Sequence, residues 1–342
     1  MISIIILNYN AGNLLIDCIS SIMSSELKDL EIILVDNCSS DNSHIECKKK
    51  FENIKLIENK QNLGYCEGNN IGLRAASGEF IMILNPDTTV TSNWMNELLE
   101  AYKKFGDGLY QPKILSMSNI KKLGSAGNMI NIFGFGFSRG RGELDKDQYG
   151  QIEDVGYASG TCLFMSSKTF KEIGYLDKFL FAYHDDLEYG WRARELGIKS
   201  YYVPKSVIYH AESFNFQWKP FKFYLLERNR YYCLLIHYSR KTFWKILPEL
   251  LLIEFSVIIF YTSKGLLFQK IKANINILKN LGKINQKYNE IQKRKIISDD
   301  KIINYFNDEI IIPSELSNFG KKNFFFNFIK KLSIRVRKRI IL

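Results

Sequence analysis

Asp87 closes the apolar run "EFIMILNPD", directly after Asn85 and Pro86. Proline has no N–H to give a sheet ladder, so the chain leaves the sheet here and Asp87 is expected at the carboxyl end of a strand. In open α/β sheets that edge binds ligands. The competing reading is a turn aspartate ahead of a helix near Trp94. Asp185, Asp186 and Glu188 place three carboxylates within four residues. A paired carboxylate on a cleft edge suits a general base. Acids in a first helical turn also complement the helix dipole, and composition alone does not separate the two. His210 ends another short apolar run, "SVIYH". With Asp87 it would offer one oxygen and one nitrogen donor, a set suited to Mn2+ or Mg2+ if a diphosphate completed the shell.

These groups need a scaffold that brings them to one edge. "ISIIIL" is short, continuous and β-branched, the pattern of a strand buried on both faces. "EIILVD", "IKLIEN" and "EFIMILN" repeat it, with helical spacing between them, as at Leu14, Leu15, Cys18, Ile19 and Ile22. The alternation predicts an α/β fold with a doubly wound, mainly parallel sheet. Polar loops then fall at the carboxyl ends of the strands: Asn8–Asn10, Asp36–Ser39, Asn62–Asn70 and Asn85–Asp87. Four such loops on one edge imply a ligand crevice. No GxGxxG follows the first strand and no GxxxxGK[ST] occurs, which argues against a dinucleotide-binding unit and a P-loop. The glycine-rich stretch Phe105–Asp154 reads as a mobile or irregular connection over the site. "AYHDDLEYGWRAREL" reads as a helix with His184–Asp186 in its first turn, and "IKSYYVP" and "SVIYH" as two short strands.

The chain's 342 residues carry a formal charge of +11, unevenly spread. Up to His210 there are 22 Lys and Arg against 26 Asp and Glu; beyond it there are 25 against 10. The basic character belongs to the last third, which suggests an anionic surface as its partner. Met1 leads straight into a strand pattern, so no signal peptide is expected. The six cysteines match no zinc module or disulfide framework, as expected of small buried or half-buried residues in a reducing compartment.

"IIILNYNAGNLLIDCISSI", "LEIILVDNCSSDNS", "NLGYCEGNNIGLRAASGEFIMILNPDTTV", "SGTCLFMSSKTFKEIGYLDKFLFAYHDDLEYGWRAR" and "VPKSVIYH" occur in that order. Together they resemble inverting family-2 glycosyltransferases of the GT-A fold, nearest the rhamnosyltransferase-like and galactofuranosyltransferase-like subgroup. The resemblance covers roughly the first two-thirds of the chain. It implies that "NPD" stands for the family's DxD motif, with Asp87 holding metal and diphosphate and Asn85 in place of the first Asp. "HDD" stands for the ED motif, making Asp186 the base and putting Asp185 where Glu is usual. His210 matches a metal-binding histidine. Tyr9 would stack on the pyrimidine and Asn10 and Asp36 would contact base or ribose, with Asn37 beside them. Asn62, Gly64 and Asn69 would lie along the donor. The absence of QxxRW, for which "FQWKP" does not substitute, implies non-processive transfer. The resemblance further implies a dTDP- or UDP-activated donor, with dTDP-rhamnose among the candidates. The acceptor would be a glycan or a polyprenyl-diphosphate-linked oligosaccharide of the bacterial surface.

The expected organisation is a catalytic domain over 1–240 and a helical, basic, membrane-associating region over 241–342, peripheral on the inner face of the cell membrane. Ile246–Tyr261 is the most apolar stretch, but Pro248, Glu249 and Glu254 interrupt it, so an interfacial or buried helix is expected. In the final segment Phe325, Phe328, Ile329 and Leu332 share a helical face flanked by Lys330 and Lys331, the pattern of a cationic anchor. Two other functions compete. A sugar-nucleotide nucleotidyltransferase would carry a GxGxR-like loop after the first strand, where "NYNAGN" stands. A nucleic-acid-binding protein would carry its positive charge on the folded domain, which here is slightly acidic.

Overall fold

The computed structural model describes residues 1–211, 219–310 and 322–341, with side chains of the last helix from 326 onward. Contacts divide the chain into two units. One comprises Met1–Asn128, Ser138–Gly190 and Ile198–Phe214; the other comprises Met129–Phe137, Trp191–Gly197 and Asn215–Leu342. The helix at Pro220–His237 falls in the second unit with the C-terminal helices.

The first unit is built on a ten-stranded sheet. β1 (Ile2–Asn8), β2 (Leu30–Asp36), β3 (Lys55–Glu58) and β4 (Phe80–Leu84) pair in parallel in the order β4-β1-β2-β3. α1 (Asn13–Met23), α2 (Ser43–Lys50) and α3 (Gly64–Ala75) connect them. Every residue of β1 is buried, as its unbroken apolar run predicts for a sheet covered on both faces. α1 buries Leu15, Cys18, Ile19 and Ile22, one stripe at helical spacing.

Beyond β4 come β5 (Thr88–Val90), α4 (Trp94–Phe105) and β6 (Gly108–Ser116). The glycine-rich stretch is more ordered than its composition suggests. It holds β7 (Leu123–Ser125), β8 (Asn128–Ile130), β9 (Gly136–Ser138) and β10 (Glu153–Val155), with Leu123, Ala126 and Asn128 buried. β11 (Cys162–Ser166) then inserts antiparallel between β4 and β6, followed by α5 (Ser167–Ile173), α6 (Asp185–Glu195) and β12 (Lys199–His210). The two strands expected over 198–210 are one, β12, with a register irregularity between Val203 and Val207. Because β11 is antiparallel to both neighbours, β6 and β12 run parallel to β4, and their carboxyl ends reach the same edge.

The expected loop "NLGYCEGNN" is mostly helix: α3 begins at Gly64. Its glycines are packing devices. A Cβ on Gly68 would sit 2.5 Å from Leu7 Cδ1, and one on Gly72 would sit 2.4 Å from Ile5 Cγ2. Their absence lets α3 lie close on β1.

The second unit contains α7 (Pro220–His237), α8 (Arg240–Ser263), α9 (Leu267–Lys279), α10 (Leu281–Arg294), α11 (Asp299–Ile303) and α12 (Lys322–Ile341). Four buried charges tie three of these helices together: Glu227 and Arg230 of α7, Glu254 of α8 and Lys270 of α9. Arg230 bonds Glu227 at 2.8 Å and also Glu254, and Lys270 bonds both glutamates. Burial pushes the Glu254 carboxyl up, but the two cations outweigh it and bring it down to about 2. A second buried set joins Glu195 to His237 and Lys295, each at 2.8 Å, and Lys295 to Asp299 at 2.5 Å.

The tail differs from its expectation. Ile329, Leu332, Val336 and Ile340 of α12 are buried within the unit, and Arg339 bonds Glu249 of α8. Of the face expected to enter a membrane, Ile329 and Leu332 are thus buried inside the protein and Phe328 is half-buried. The Phe325 side chain, and residues 216–218 of "FQWKP", lie outside the described residues.

The buried charge set generates a stability prediction. Arg230→Met leaves two buried carboxylates with one cation, a change expected to cost roughly 3–5 kcal/mol. Lys241→Met, at an exposed position, should change stability by about 0.5 kcal/mol or less. Urea denaturation midpoints of the two variants measure the difference; equal midpoints would show that the cluster does not hold the helices.

Candidate active site

The carboxyl edge of the sheet gathers the candidate residues of the first unit. Asn8 ends β1 and Asp36 ends β2, directly paired in register. Both are buried. The Asn8 amide donates to Asp36 Oδ1 at 2.8 Å, Ser39 Oγ at 3.1 Å and Ser43 Oγ at 2.9 Å, while Ser39 N donates to Asp36 Oδ2 at 2.9 Å. Both oxygens of Asp36 are thus engaged in fixing the loop after β2. Tyr9, by contrast, is 52 % exposed, an open aromatic face beside that hub. Asn10 is exposed with φ +55, and its Oδ1 accepts from Ser40 N at 2.7 Å.

Asn37 is buried and performs a similar linking task. Its amide donates to Asn62 Oδ1 at 2.9 Å and Gly64 O at 3.2 Å, and its own Oδ1 accepts from Leu63 N at 3.0 Å. Asn62 is exposed at the start of α3. Asn69 is fully buried one helical turn after Tyr65, to whose carbonyl it donates at 2.9 Å. Gly64 has a tight steric role. Its φ is +78, and a Cβ there would meet Phe181 Cδ2 at 2.5 Å and Phe181 O at 2.6 Å. Cys66 N donates to the same Phe181 carbonyl at 3.1 Å. The start of α3 is thereby pinned to the segment that precedes Asp185.

Asp87 and His210 are brought together by strand pairing. β5 runs antiparallel to β12 with Thr88 opposite His210, and Ala211 N donates to Asp87 O at 2.9 Å. His210 Nε2 lies 3.2 Å from Asp87 Oδ1. Burial raises the Asp87 carboxyl, but the hydrogen bond and charge of His210 outweigh it, so the group sits below the usual carboxylate range. An ionised carboxylate and an imidazole nitrogen at this spacing fit a hard divalent cation such as Mn2+ or Mg2+. Among the described residues no third His, Cys, Asp or Glu joins them.

Asp185 and Asp186 open α6. Gly160 N donates to Asp186 Oδ2 at 3.2 Å, and Leu187 N donates to its Oδ1 at 2.9 Å. Burial raises both carboxyls. Asp185 is lifted well above its ordinary range, by burial first and by the charge of Asp186 second. Asp186 is raised by burial while its backbone hydrogen bonds pull the other way. The pair shares its titration, and Asp185 is lifted the further of the two, which leaves Asp186 the better seat for the negative charge. The four residues before α6 include strained backbone: Phe181, Tyr183 and His184 have φ of 63, 64 and 59. Such conformations cost free energy and persist where packing over-determines them.

Sequence reading missed Tyr65 and Gly160. The Tyr65 hydroxyl donates to Gly160 O at 2.6 Å, and burial and both aspartates hold it well above its ordinary pKa, so it remains a donor. A Cβ on Gly160 would lie 2.9 Å from Tyr65 Oη and 3.4 Å from Asp185 Oδ2. No local spacing connects Tyr65, Gly160 and Asp185; the only hint was a glycine between Ser159 and Thr161 just ahead of a strand. The two charged pairs share one edge because Asn85 N donates to Thr161 O at 2.9 Å where β4 meets β11. Cys18 lies under this edge with its thiol pushed up to about 12 by burial, which makes it inert. Five of the six cysteines are buried; Cys38 is exposed.

The family described as Glycosyl transferase family 2 matches residues 3–174, half of the chain. The chain belongs to glycosyltransferase family 2. The match includes Asp87 and stops before Asp185, Asp186 and His210. This family 2 glycosyltransferase is 29 % identical over 203 residues to the low-salt glycan biosynthesis hexosyltransferase Agl10 of Haloferax volcanii, covering 58 % of this chain and 62 % of that protein. It is 22 % identical over 240 residues to an N-acetylglucosaminyl-diphospho-decaprenol L-rhamnosyltransferase of Mycobacterium tuberculosis, covering 62 % and 76 %. The chain thus spans less than two-thirds of the Haloferax relative. The crystal structure of S. aureus TarS 1-349 with UDP-GlcNAc superposes with a TM-score of 0.56 at 16 % identity, over 99 % of this chain and 90 % of that one. GalNAc-T7 with UDP, GalNAc and Mn2+ gives 0.59 at 18 %, over 73 % and 51 %. The glycosyltransferase thus has the expected GT-A-like fold, with its mostly parallel sheet and helical C-terminal region.

The steric role of Gly64 is testable against Gly12, which also has positive φ but nothing within 4 Å of a Cβ. Gly12→Ala should cost about 1 kcal/mol of stability, and Gly64→Ala roughly 2 kcal/mol or more because backbone strain and overpacking add. Equal losses in chemical denaturation would show that Phe181 yields freely.

Proposed function

We propose that the chain transfers a single sugar, with inversion, from a dTDP- or UDP-activated donor to a hydroxyl of a glycan or of a polyprenyl-diphosphate-linked oligosaccharide. The observation that carries the reading is the sharing of one sheet edge by two unlike pairs. Asp87–His210 holds an ionised carboxylate beside an imidazole, and Asp185–Asp186 holds carboxyls raised by burial. The Haloferax hexosyltransferase of low-salt glycan biosynthesis and the Mycobacterium N-acetylglucosaminyl-diphospho-decaprenol L-rhamnosyltransferase support hexosyl or rhamnosyl transfer in glycan biosynthesis. The nucleotide in the TarS structure supports an activated donor. Family membership sets aside the nucleotidyltransferase and nucleic-acid readings.

Asp87 and His210 would hold Mn2+ or Mg2+, a cation that supplies charge neutralisation on a departing diphosphate. Tyr9 offers its exposed ring to the pyrimidine, while the Asn8–Asp36 and Asn37–Asn62 hydrogen bonds keep the surrounding loops in place. Asp186 takes the acceptor's hydroxyl proton as that oxygen forms a bond to the anomeric carbon. The bond from that carbon to the diphosphate breaks with its electron pair on the nucleotide. One displacement inverts the centre and needs one base. Tyr65 holds the Gly160 carbonyl, keeping the Gly160 N–H aimed at Asp186. We place the enzyme at the inner face of the cell membrane, where a lipid-linked acceptor is met; no described helix is long and apolar enough to cross a membrane.

Three substitutions test the roles. Asp186→Asn should lower kcat by about 10²–10⁴-fold with nucleotide affinity retained. A larger loss in Asp185→Asn would move the base by one residue. Asp87→Ala should abolish the Mn2+ dependence of nucleotide binding, read by calorimetry with and without the ion; an unchanged dependence refutes the metal site.

The pair's raised carboxyls also set the pH profile. Activity requires the ionised base, so the acid limb of kcat should lie above the ordinary carboxylate value of about 3.9. Asp185, lifted further, keeps its proton while Asp186 ionises, so Asp185→Asn removes no charge there and should leave the limb close to its wild-type pH. A limb that moves to lower pH would show that Asp185 carries charge when Asp186 titrates.

A further inference from the structure

α8 and α9 are half used. α8 buries Leu250, Ile253, Glu254, Val257 and Tyr261, and α9 buries Lys270, Ala273 and Ile277. Both inward faces meet α7, through Glu254 and Lys270 and through the Tyr261 hydroxyl, which donates to Phe223 O at 3.2 Å. The opposite faces are apolar and exposed. On α8 they present Leu251, Leu252, Phe255 and Ile259, with Phe255 67 % exposed. On α9 they present Phe268, Ile271, Ile275 and Leu278, with Phe268 70 % and Leu278 64 % exposed. Each set recurs at helical spacing, so each forms a stripe. Apolar residues scattered singly over a surface need no partner, but two exposed stripes on successive helices exceed that.

The charges around the patch have one sign. From Arg240 to Asn289 the only acids are Glu249 and Glu254, and both are buried in ion pairs. Lys241, Lys272, Lys279 and Lys283 are exposed. An apolar face bordered by cations, on helices not long and apolar enough to span a bilayer, matches an anionic lipid surface entered to the depth of the headgroups. A protein partner would need no such one-sided rim.

We propose that the outward face of the α8–α9 hairpin, and not the tail helix α12, is the surface by which this enzyme docks on anionic lipid. The proposal rests on the membrane location given above and assigns the surface responsible for it. α12 closes the unit instead. Its apolar stripe is internal, and its Arg339 neutralises Glu249.

The test is vesicle co-sedimentation of the full chain. Vesicles are phosphatidylcholine alone or phosphatidylcholine with phosphatidylglycerol. The wild type should bind the anionic vesicles and bind neutral ones weakly. Phe255→Ser with Phe268→Ser, both exposed and so tolerated by the fold, should weaken binding on the order of 10-fold or more. Lys272→Glu with Lys279→Glu should remove the salt-sensitive part of the binding. Lys331→Glu with Lys338→Glu, exposed on α12, should have the smaller effect. Undiminished binding by the phenylalanine pair overturns the surface while leaving a membrane location intact. No binding by the wild type overturns both, and glycosyl transfer is then judged separately by the donor assay. A wild-type dimer in sedimentation, split by the phenylalanine pair with no vesicle binding, would overturn the proposal in favour of a second copy covering the face.

Discussion

The junction of β4 with β11 is the constraint on which the site depends. β11 enters the sheet against the direction of its neighbours, so its first residues lie beside the last residues of β4. One backbone hydrogen bond, Asn85 N to Thr161 O, closes that junction. On one side the chain continues through Pro86 to Asp87, which β5 holds against β12 and therefore against His210. On the other side it reaches Gly160, whose N–H is given to Asp186. Hydrogen bonds within a sheet are short and directional, so the junction leaves little freedom in the spacing of the two pairs.

A second layer of polar contacts fixes the loops at this edge. Asn8, Asp36 and Asn37 are buried, and their side chains are committed to loop backbones and to one another. A half-satisfied buried network would be worse than an apolar one, so these residues fix loop shape at the cost of their own availability. Among the candidates on this edge, Tyr9 is the conspicuous exception, an aromatic ring left to solvent. Exposed aromatic area beside a rigid polar rim is the arrangement a nucleobase needs for stacking.

The helical unit solves a different problem. Its interior carries Glu227, Arg230, Glu254 and Lys270, charges that are expensive to bury unless each finds a partner. Two acids and two bases on three helices satisfy one another only when α7, α8 and α9 adopt one arrangement. The cluster therefore reads as a device for register more than for stability. It also explains why the most apolar stretch of the sequence is not a membrane span: Glu249 and Glu254 are needed inside the protein. The apolar residues between them then divide into an inner and an outer stripe.

The sequence by itself determined the four parallel strands β1–β4, the helices between them and the edge on which the polar loops would gather. It did so because continuous β-branched runs and helical spacing are local signals. It also pointed to Asp87, Asp186 and His210, whose places at element ends follow from Pro86, from an acidic first turn and from the end of a strand. What it left open was set by contacts between residues far apart in the chain. Gly64 appeared as a donor contact, yet its first constraint is Phe181, 117 positions on. The glycines of "NLGYCEGNN" suggested a loop, whereas α3 begins at Gly64 and the absence of a Cβ on Gly68 lets that helix pack on Leu7. The amphipathic tail suggested an anchor, and only the tertiary structure decided that its stripe faces α8 inside the protein, because a helical period states that a face will be buried and not what will bury it.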